Sequence, residues 1–325
     1  MEFKDIIGQE NLKRVLINSL NEQQISHAYI FCGEDGLGKK TMAKIFSKKL
    51  LCKNMNESDC KCKSCMVFEN ETHPDFFNIK KDGNSIGVDK IRQMQSQIVV
   101  SPIYGAKKIF LINDAEKLTK EAQNALLKIM EEPPHYVVIM LVTNNSNMLL
   151  ETIRSRAIQY NFSKNTRDEV RKYLETKYGE NISNINFLIS CSDGKIGKVV
   201  EIMNTDDINQ IRDVVIDYAS KIKLMKMNEI LNAIDFFTQN KDRIELLLNM
   251  MTMFFRDLLI LKQTKDYELL TNIDKRDILI HRMVEFSCRE LIRNIETITE
   301  ATKYIRRNVN FGLLLEVMFL KLQEE

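Results

Sequence analysis

Residues 107–135 read KKIFLINDAEKLTKEAQNALLKIMEEPPH, and this stretch decides the fold of the first half of the chain. The apolar run at 109–112 is too short for a helix, so it predicts a buried parallel strand. A helix should begin at Thr119, because small and apolar side chains recur from there at helical spacing. Pro133 and Pro134 should end that helix, since proline cannot continue the backbone hydrogen-bond ladder.

Asn113 and Asp114 directly follow this strand, at the carboxyl end where open α/β sheets bind their ligands. A nucleotide-hydrolysing ATPase needs an aspartate here to hold magnesium and a glutamate to activate the attacking water. An amide brings no charge to a metal, and an aspartate reaches one methylene less far than a glutamate. The pattern therefore predicts the outline of an ATPase site with degenerate magnesium and base positions.

A glycine-rich stretch, GEDGLGKKT at 33–41, lies between an apolar strand at 27–32 and a helix that runs through Leu50. Strand, glycine-rich loop and helix form the context of a phosphate-binding loop, whose backbone N–H groups and helix dipole attract phosphate oxygens. Lys39 is placed to reach the phosphates. The predicted loop residues are Gly33, Gly36, Gly38, Lys39, Lys40 and Thr41.

The residue after the phosphate-loop lysine is the second departure from an active site. Serine or threonine is expected there to ligate magnesium, and the chain has Lys40. Thr41 lies one residue farther, rotated by about 100° around the helix, and cannot simply replace it. A loop that keeps its shape without catalysis and a working site both fit the pattern. ATP binding without hydrolysis also stays open, because Lys39 and the glycines remain.

Four of the seven cysteines lie within 14 residues: Cys52, Cys60, Cys62 and Cys65. This crowding predicts a tetrahedral structural Zn²⁺ site. The Cys62-x-x-Cys65 spacing is standard, whereas Cys60-x-Cys62 needs a turn to direct both sulfurs at one metal. A redox pair and unligated thiols are the alternatives. His73 is either a spare metal ligand or, as a loop histidine before proline, a structural residue.

Further periodic segments complete an α/β pattern. They predict strands at 73–79, 136–142 and 157–161, and helices at 88–98 and 149–156. The polar residues 143–145 would sense a γ-phosphate in a motor, or they form a turn. Five short strands that alternate with helices predict a doubly wound α/β domain over residues 1–163. Residues 209–325 read as all helical, with apolar stripes that are mostly core and in part interface.

The bulk composition excludes several classes of protein. The 325 residues suggest two or three domains, and 44% hydrophobic content is enough for a sizeable core. A net charge of +2 gives the whole molecule no strong attraction to nucleic acid or membrane. No apolar run approaches a membrane span, and the first residues lack the apolar core of a signal peptide. We therefore expect a cytoplasmic protein with reduced cysteines.

Together these stretches resemble the AAA+ clamp-loader family of bacterial DNA polymerase III. The motifs that carry the resemblance are HAY at 27–29, the loop at 33–41, the four cysteines, HPD at 73–75, GVD at 87–89, NALLK at 124–128, EEPP at 131–134 and RSR at 154–156. The resemblance implies a P-loop type domain at 1–163 with a zinc module at about 52–65. It also implies a small helical lid at 164–208 and a helical collar for oligomerisation at 209–325.

The resemblance assigns roles to two further positions. In that family a Ser-Arg-Cys motif supplies an arginine finger to ATP on the neighbouring subunit, and Ser155-Arg156-Ala157 keeps the arginine. Without the resemblance, a surface ion pair would be the expected role of Arg156. Active members also place a sensing arginine in the lid, where this chain has Gly197 with Lys198 adjacent.

The resemblance implies a largely non-hydrolysing subunit that scaffolds the loader ring during DNA replication. Its partners would be the delta and tau/gamma subunits and, through the assembly, the sliding clamp and primed DNA, with no membrane. We expect no catalysis from this chain alone, although it would belong to a DNA polymerase holoenzyme. The alternatives are an ATP-hydrolysing motor subunit and a zinc-dependent nucleic-acid-binding module. Near-neutral charge and missing stacking aromatics near the cysteines oppose the last of these.

Overall fold

A computed structural model describes residues 1–54, 60–179, 182, 184–205, 207–305 and 309–324. The chain forms two compact units. The first comprises Met1–Val170 and Gly194–Gly197, and the second comprises Arg171–Asp193 and Lys198–Glu325. The predicted division into a lid at 164–208 and a collar at 209–325 stays a prediction. In the part of the chain that the structure describes, no helix is both long enough and apolar enough to cross a membrane.

The first unit is built on one five-stranded parallel sheet. Its strands are β1 (Ala28–Cys32), β2 (Phe76–Ile79), β3 (Lys108–Ile112), β4 (Val137–Thr143) and β5 (Ile158–Asn161). Their spatial order is β2-β3-β4-β1-β5, so β1, β3 and β4 occupy the interior of the sheet. The predicted doubly wound α/β class is confirmed for this unit.

In the described part of the first unit, six α-helices accompany the strands: α1 (Glu10–Asn21), α2 (Lys39–Leu51), α3 (Lys63–Glu69), α4 (Val88–Ile98), α5 (Lys120–Glu131) and α6 (Glu151–Arg154). Alternation along β3 divides the core into two layers. Ile109 and Leu111 belong to one apolar cluster, and Phe110 and Ile112 belong to the other. All four are fully buried, which explains why this strand is apolar on both faces.

Two predicted elements are shorter in the structure. The strand predicted at 73–79 begins only at Phe76, because the backbone N–H of Phe76 donates to the carbonyl of His73 at 3.1 Å and closes a turn. The helix predicted at 149–156 is one short turn, Glu151–Arg154. The helix predicted from Thr119 is confirmed, and the Thr119 hydroxyl caps it by accepting from the N–H of Ala122 at 3.2 Å.

The second unit is helical throughout its described residues, as the apolar stripes predict. The helices from position 167 onward are α7 (Arg167–Tyr178), α8 (Ile185–Ser192), α9 (Ile196–Met203), α10 (Ile208–Lys221), α11 (Met227–Gln239), α12 (Ile244–Thr264), α13 (Arg276–Arg282), α14 (Cys288–Ile305) and α15 (Phe311–Gln323). The long helix α12 packs against α10 and α14, and α15 packs against α11 and α14.

Candidate functional site

The candidate nucleotide site lies at the carboxyl edge of the sheet. Because β3, β4 and β1 are adjacent and parallel, the segments that follow them meet at one edge. The phosphate loop follows β1, Asn113 and Asp114 follow β3, and Asn144 follows β4. The sheet therefore brings together the groups that the sequence predicts for a nucleotide site.

The ammonium of Lys39 is bound by its own loop and by Asn144. Its side chain is 4% exposed, and Nζ donates to the carbonyl oxygens of Gly33 and Glu34 and to Oδ1 of Asn144. The distances to Glu34 and Asn144 are 2.7 and 2.8 Å. Burial lowers the pKa of Lys39, and the nearby carboxylate of Asp35 partly opposes this shift. The lysine predicted to reach phosphate thus has its donors directed at protein oxygens.

The next lysine lies where magnesium chemistry would be needed. Nζ of Lys40 is 3.0 Å from Oδ1 of Asp114, and Lys81 lies 3.9 Å from the other carboxylate oxygen. This ammonium competes with a divalent cation for the same oxygen, and because the Lys40 side chain is 54% exposed, water partly screens the pair. Thr41, the remaining hydroxyl in the loop, is exposed at the first turn of α2.

Asn113 is buried at the end of β3, where its amide nitrogen donates to Oδ1 of Asn78 at 2.5 Å. Among the described residues its Oδ1 has no hydrogen-bond partner. The amide therefore contributes a neutral oxygen at a position where an active ATPase needs a charged one.

Glu116 is a site residue that the sequence analysis missed. Its carboxylate accepts from the hydroxyl of Thr143 at 2.8 Å and from the backbone N–H of Asn144 at 3.2 Å. These bonds fix the loop after β4, whose Asn144 in turn holds Lys39 and donates to Asp35 at 2.7 Å. Glu116 lies two residues beyond Asp114, and its partners become neighbours only when β3 and β4 pair.

A glycine-rich segment, Gly194–Gly197, belongs to the first unit and packs on the phosphate loop. The N–H of Gly197 donates to the carbonyl of Gly36 at 2.9 Å. A Cβ added at Gly197 would lie only 2.6 Å from Cα of Gly36, so a larger side chain there would require the loop to move. Lys195 reaches Oε2 of Glu34 at 2.5 Å, and this bond lowers the pKa of Glu34. The segment therefore covers one side of the loop.

Arg156 follows α6 and is partly exposed. Its side chain is 37% exposed, with Nη1 donating to the carbonyl of Thr152 at 3.1 Å and Nη2 lying 3.3 Å from the carboxylate of Glu131. An ion pair at this exposure is weak, because water screens both charges. The guanidinium is thus positioned by the chain and still accessible from solvent.

The four clustered cysteines converge in the structure. The sulfur atoms of Cys52, Cys60, Cys62 and Cys65 all lie within 4.8 Å of one another, and those of Cys52 and Cys62 are 3.8 Å apart. Tetrahedral zinc with Zn–S bonds of about 2.3 Å requires sulfur separations of about 3.8 Å, so the donor set fits this metal. Residues 55–59 of the predicted zinc module lie outside the described residues.

The thiols of this cluster have unequal acidities. Burial raises the pKa of Cys52 to about 11 and also raises the pKa of Cys65. Burial acts in the same direction on Cys62, but hydrogen bonds from the Cys65 backbone and the neighbouring thiols outweigh it and lower the pKa of Cys62 to about 7. Cys62 is therefore the thiol that most readily supplies the thiolate a metal requires.

His73 is not part of the group of potential metal ligands found in the described chain. Its Nδ1 accepts from the N–H of Asp75 at 3.1 Å, which leaves the proton on Nε2, 2.9 Å from the hydroxyl of Ser64. Ser64 in turn donates to the carbonyl of Leu51 at 2.8 Å. Both ring nitrogens are engaged, so the structure supports the structural alternative for His73.

Comparison with known proteins identifies the family. A model described as "DNA polymerase III, delta subunit" matches residues 8–166, and one described as "DNA polymerase III, delta subunit, C terminal" matches residues 206–324. The chain belongs to the DNA polymerase III delta-subunit family that these two models describe. The clamp-loader resemblance predicted from the sequence motifs is thereby confirmed.

Two curated relatives show how the similarity is distributed. The DNA polymerase III subunit delta′ of Bacillus subtilis is 26% identical over 330 residues, which cover 97% of this chain and 96% of that protein. The gamma/tau subunit of Mycoplasma pneumoniae is 33% identical over 174 residues, which cover 53% of this chain and 25% of that protein. The similarity to the delta-prime protein thus covers nearly all of both chains. The similarity to the gamma/tau protein covers about half of this chain and a quarter of the gamma/tau protein.

Solved structures are only weakly similar to this chain. A gamma subunit-related protein from Thermotoga maritima superposes with a TM-score of 0.47 at 19% identity, covering 95% of this chain and 98% of that one. The clamp-loader delta protein of Bacillus subtilis superposes with a TM-score of 0.35 at 14% identity, covering 96% of this chain and 99% of that protein.

Proposed function

We propose that this chain acts as the delta-prime subunit of the DNA polymerase III clamp loader. In this role it scaffolds the loader ring, hydrolyses little or no ATP itself, and supplies Arg156 to ATP on a neighbouring tau/gamma subunit. The assembly would load the sliding clamp onto primed DNA, with the delta subunit as a further partner. Its location would be cytoplasmic, and its resident metal would be a structural zinc at Cys52, Cys60, Cys62 and Cys65.

The observation that carries the proposal is the ion pair between Lys40 and Asp114. Magnesium must be held at this edge to position the phosphates and to neutralise the charge that develops on them. The chain places its own ammonium there and directs Lys39 at loop carbonyls. Lys39 and Asp114, two of the groups that would bind MgATP, thus already have partners within the protein, so nucleotide must break these contacts in order to bind.

The exposure of Arg156 supports a role on a neighbouring subunit. A guanidinium is permanently charged and can donate two parallel hydrogen bonds to phosphate oxygens, which stabilises the charge of phosphoryl transfer. Its partner in this chain, Glu131, is itself 54% exposed, so the pair can exchange for a phosphate at small cost.

The second unit offers a surface for ring assembly. On α15 the side chains of Leu313, Val317 and Leu320 are exposed at helical spacing. On α11, which packs against α15, Met227 and Leu231 are also exposed. Exposed apolar side chains on two packed helices favour burial against other subunits, as a collar requires.

An ATP-hydrolysing motor subunit is the second candidate, because 174 residues of the chain are 33% identical to a gamma/tau subunit. Steady-state ATP hydrolysis separates the two. We expect the isolated chain to be inactive, and a mixture with tau/gamma, delta, clamp and primed DNA to be active. Arg156→Ala should lower the rate of the mixture without preventing assembly, as judged by gel filtration.

Arg92→Ala is the matched control, since Arg92 is an exposed arginine of the same unit that lies 3.4 Å from the carboxylate of Asp89. Hydrolysis by the isolated chain, together with no effect of Arg156→Ala on the assembly, would favour the motor subunit instead.

A further inference from the structure

The outer edge of β2 is a surface that the proposed function does not use. Among the described residues, β2 is an edge strand of the sheet and pairs only with β3. The N–H of Ile109 donates to the carbonyl of Asp75, and the N–H of Asn113 donates to the carbonyl of Ile79. Alternation in a parallel ladder then turns the N–H and C=O of Asn78 outward. Such outward groups are a template for pairing with another strand.

A groove runs along this edge between β2 and α4, with a volume of about 530 Å³. Its floor is apolar: the rings of Phe77 and Phe110 stack with centroids 4.8 Å apart, and Met94 lies beside them. Gln93 and Gln97 line the helical side. A sheet edge beside a helix, with an apolar floor, is the geometry that accepts an added strand and binds alternate side chains.

The charge of the groove is positive. Lys80 and Lys90 line it, and no carboxylate does so in the described part of the chain. Nζ of Lys90 donates to the carbonyl of Lys80 and lies 2.7 Å from Asp82, which fixes this ammonium at the end of the strand. Lys80 itself is exposed. An acidic ligand therefore complements the groove, whereas a basic ligand would be repelled.

We propose that this groove binds an extended acidic segment of a partner protein, which adds as a sixth strand to the edge of β2. Backbone hydrogen bonds to Asn78 hold the segment, apolar side chains contact Phe77 and Met94, and a carboxylate of the segment pairs with the exposed Lys80. The inference does not depend on the clamp-loader role, because neither the phosphate loop nor Arg156 takes part.

The test uses a defined peptide and the full chain. A fluorescein-labelled peptide of about seven residues that alternates glutamate and isoleucine has the length of an ordinary strand. Its binding is measured by fluorescence anisotropy. A second peptide is N-methylated at its glutamates, and a third is N-methylated at its isoleucines. A fourth peptide has lysine in place of each glutamate. Strand addition predicts that one N-methylated peptide binds and the other does not, because only one set of N–H groups faces β2.

Two variants of the chain locate the binding site. Gln93→Trp fills the groove, and Lys80→Glu reverses its charge; we expect each to raise the Kd about tenfold. Arg92→Trp, on the same helix but outside the groove lining, is the control and should leave the Kd unchanged. Circular dichroism checks that each variant is folded. No saturable binding, equal binding by both N-methylated peptides, or equal affinity in all variants would overturn the proposal.

Discussion

The ammonium of Lys40 lies 3.0 Å from the carboxylate of Asp114, and these two residues come from different elements of the same sheet edge. The pair places a protein cation at the carboxylate that an active site would offer to magnesium. Lys40 replaces the expected serine or threonine, and Asp114 replaces the expected glutamate. In the structure these two replacements form one ion pair.

Replacing Lys40 should make nucleotide binding easier. Lys40→Thr removes the ammonium from Asp114 and restores a hydroxyl after Lys39, so we expect tighter binding of a fluorescent ATP analogue in the presence of magnesium. Lys44→Thr is the control, because Lys44 lies one turn farther along α2 and pairs with the exposed Glu71 at 2.7 Å. Unchanged affinity in Lys40→Thr would show that the ion pair does not limit nucleotide binding.

The effect of Arg156 on ATP hydrolysis should depend on the two parallel hydrogen bonds that a guanidinium donates, as well as on its charge. Arg156→Lys keeps a positive charge but cannot donate two parallel hydrogen bonds, so the ATPase rate of the reconstituted assembly should fall. Glu131→Gln releases the guanidinium from its ion pair and should leave this rate equal or higher. A full rate in Arg156→Lys would contradict a finger that acts through bidentate contact.

The cysteine cluster should hold one zinc ion that stabilises the first unit. Cys62→Ser should lower the zinc content measured by plasma mass spectrometry and lower the melting temperature by about 5 °C or more. Zinc affinity should fall as pH decreases, because protons compete for the thiolates. Cys32→Ser, a change of a half-buried cysteine outside the cluster, should keep the metal. Equal zinc content in both variants would refute the assignment.

Asp75 should be a structural residue of the first unit. Its fully buried carboxylate accepts from the backbone N–H groups of Ile103 at 2.9 Å and Tyr104 at 2.8 Å. Asp75→Ala leaves both donors buried and unpaired, and we expect the free energy of unfolding to fall by about 2–4 kcal/mol. Urea unfolding provides the measurement. Asp89→Ala, at a carboxylate with an 86% exposed side chain, should change stability very little.

Glu290 should make the second unit sensitive to acid. Burial alone would raise its pKa, but Lys223 at 2.6 Å and the N–H of Ser287 outweigh it and lower the pKa from 4.5 to about 2. A depressed carboxyl pKa contributes stability that is complete above 4.5 and is lost as pH falls toward 2. Glu290→Gln should flatten this part of the stability–pH curve, measured by urea unfolding, whereas Glu296→Gln on the same helix should not. Parallel curves for Glu290→Gln and the unmodified chain would contradict the assignment.

The sequence by itself determined the elements of the first unit and the identity of its candidate groups. Short apolar runs such as residues 109–112 predict strands, and the glycine-rich loop before α2 predicts a phosphate loop, because both depend on local backbone preferences. The four cysteines predict a metal site through their number and spacing alone, and the structure brings their sulfur atoms together. Family motifs fixed the resemblance that the comparisons confirm. The phosphate-loop pattern also shows that Lys40 stands where a serine or threonine is expected.

Only the tertiary structure decided which groups satisfy one another. Strand order brings Asp114 to Lys40, Asn144 to Lys39, and Glu116 to Thr143, although these partners are far apart in the chain. The close approach of Gly197 to Gly36 likewise joins two segments that are far apart in the chain. Side-chain partners across a sheet edge depend on the order of the strands, and no local periodicity encodes that order. The sequence therefore identifies the side chains of the candidate site, and the tertiary structure determines which of them contact one another.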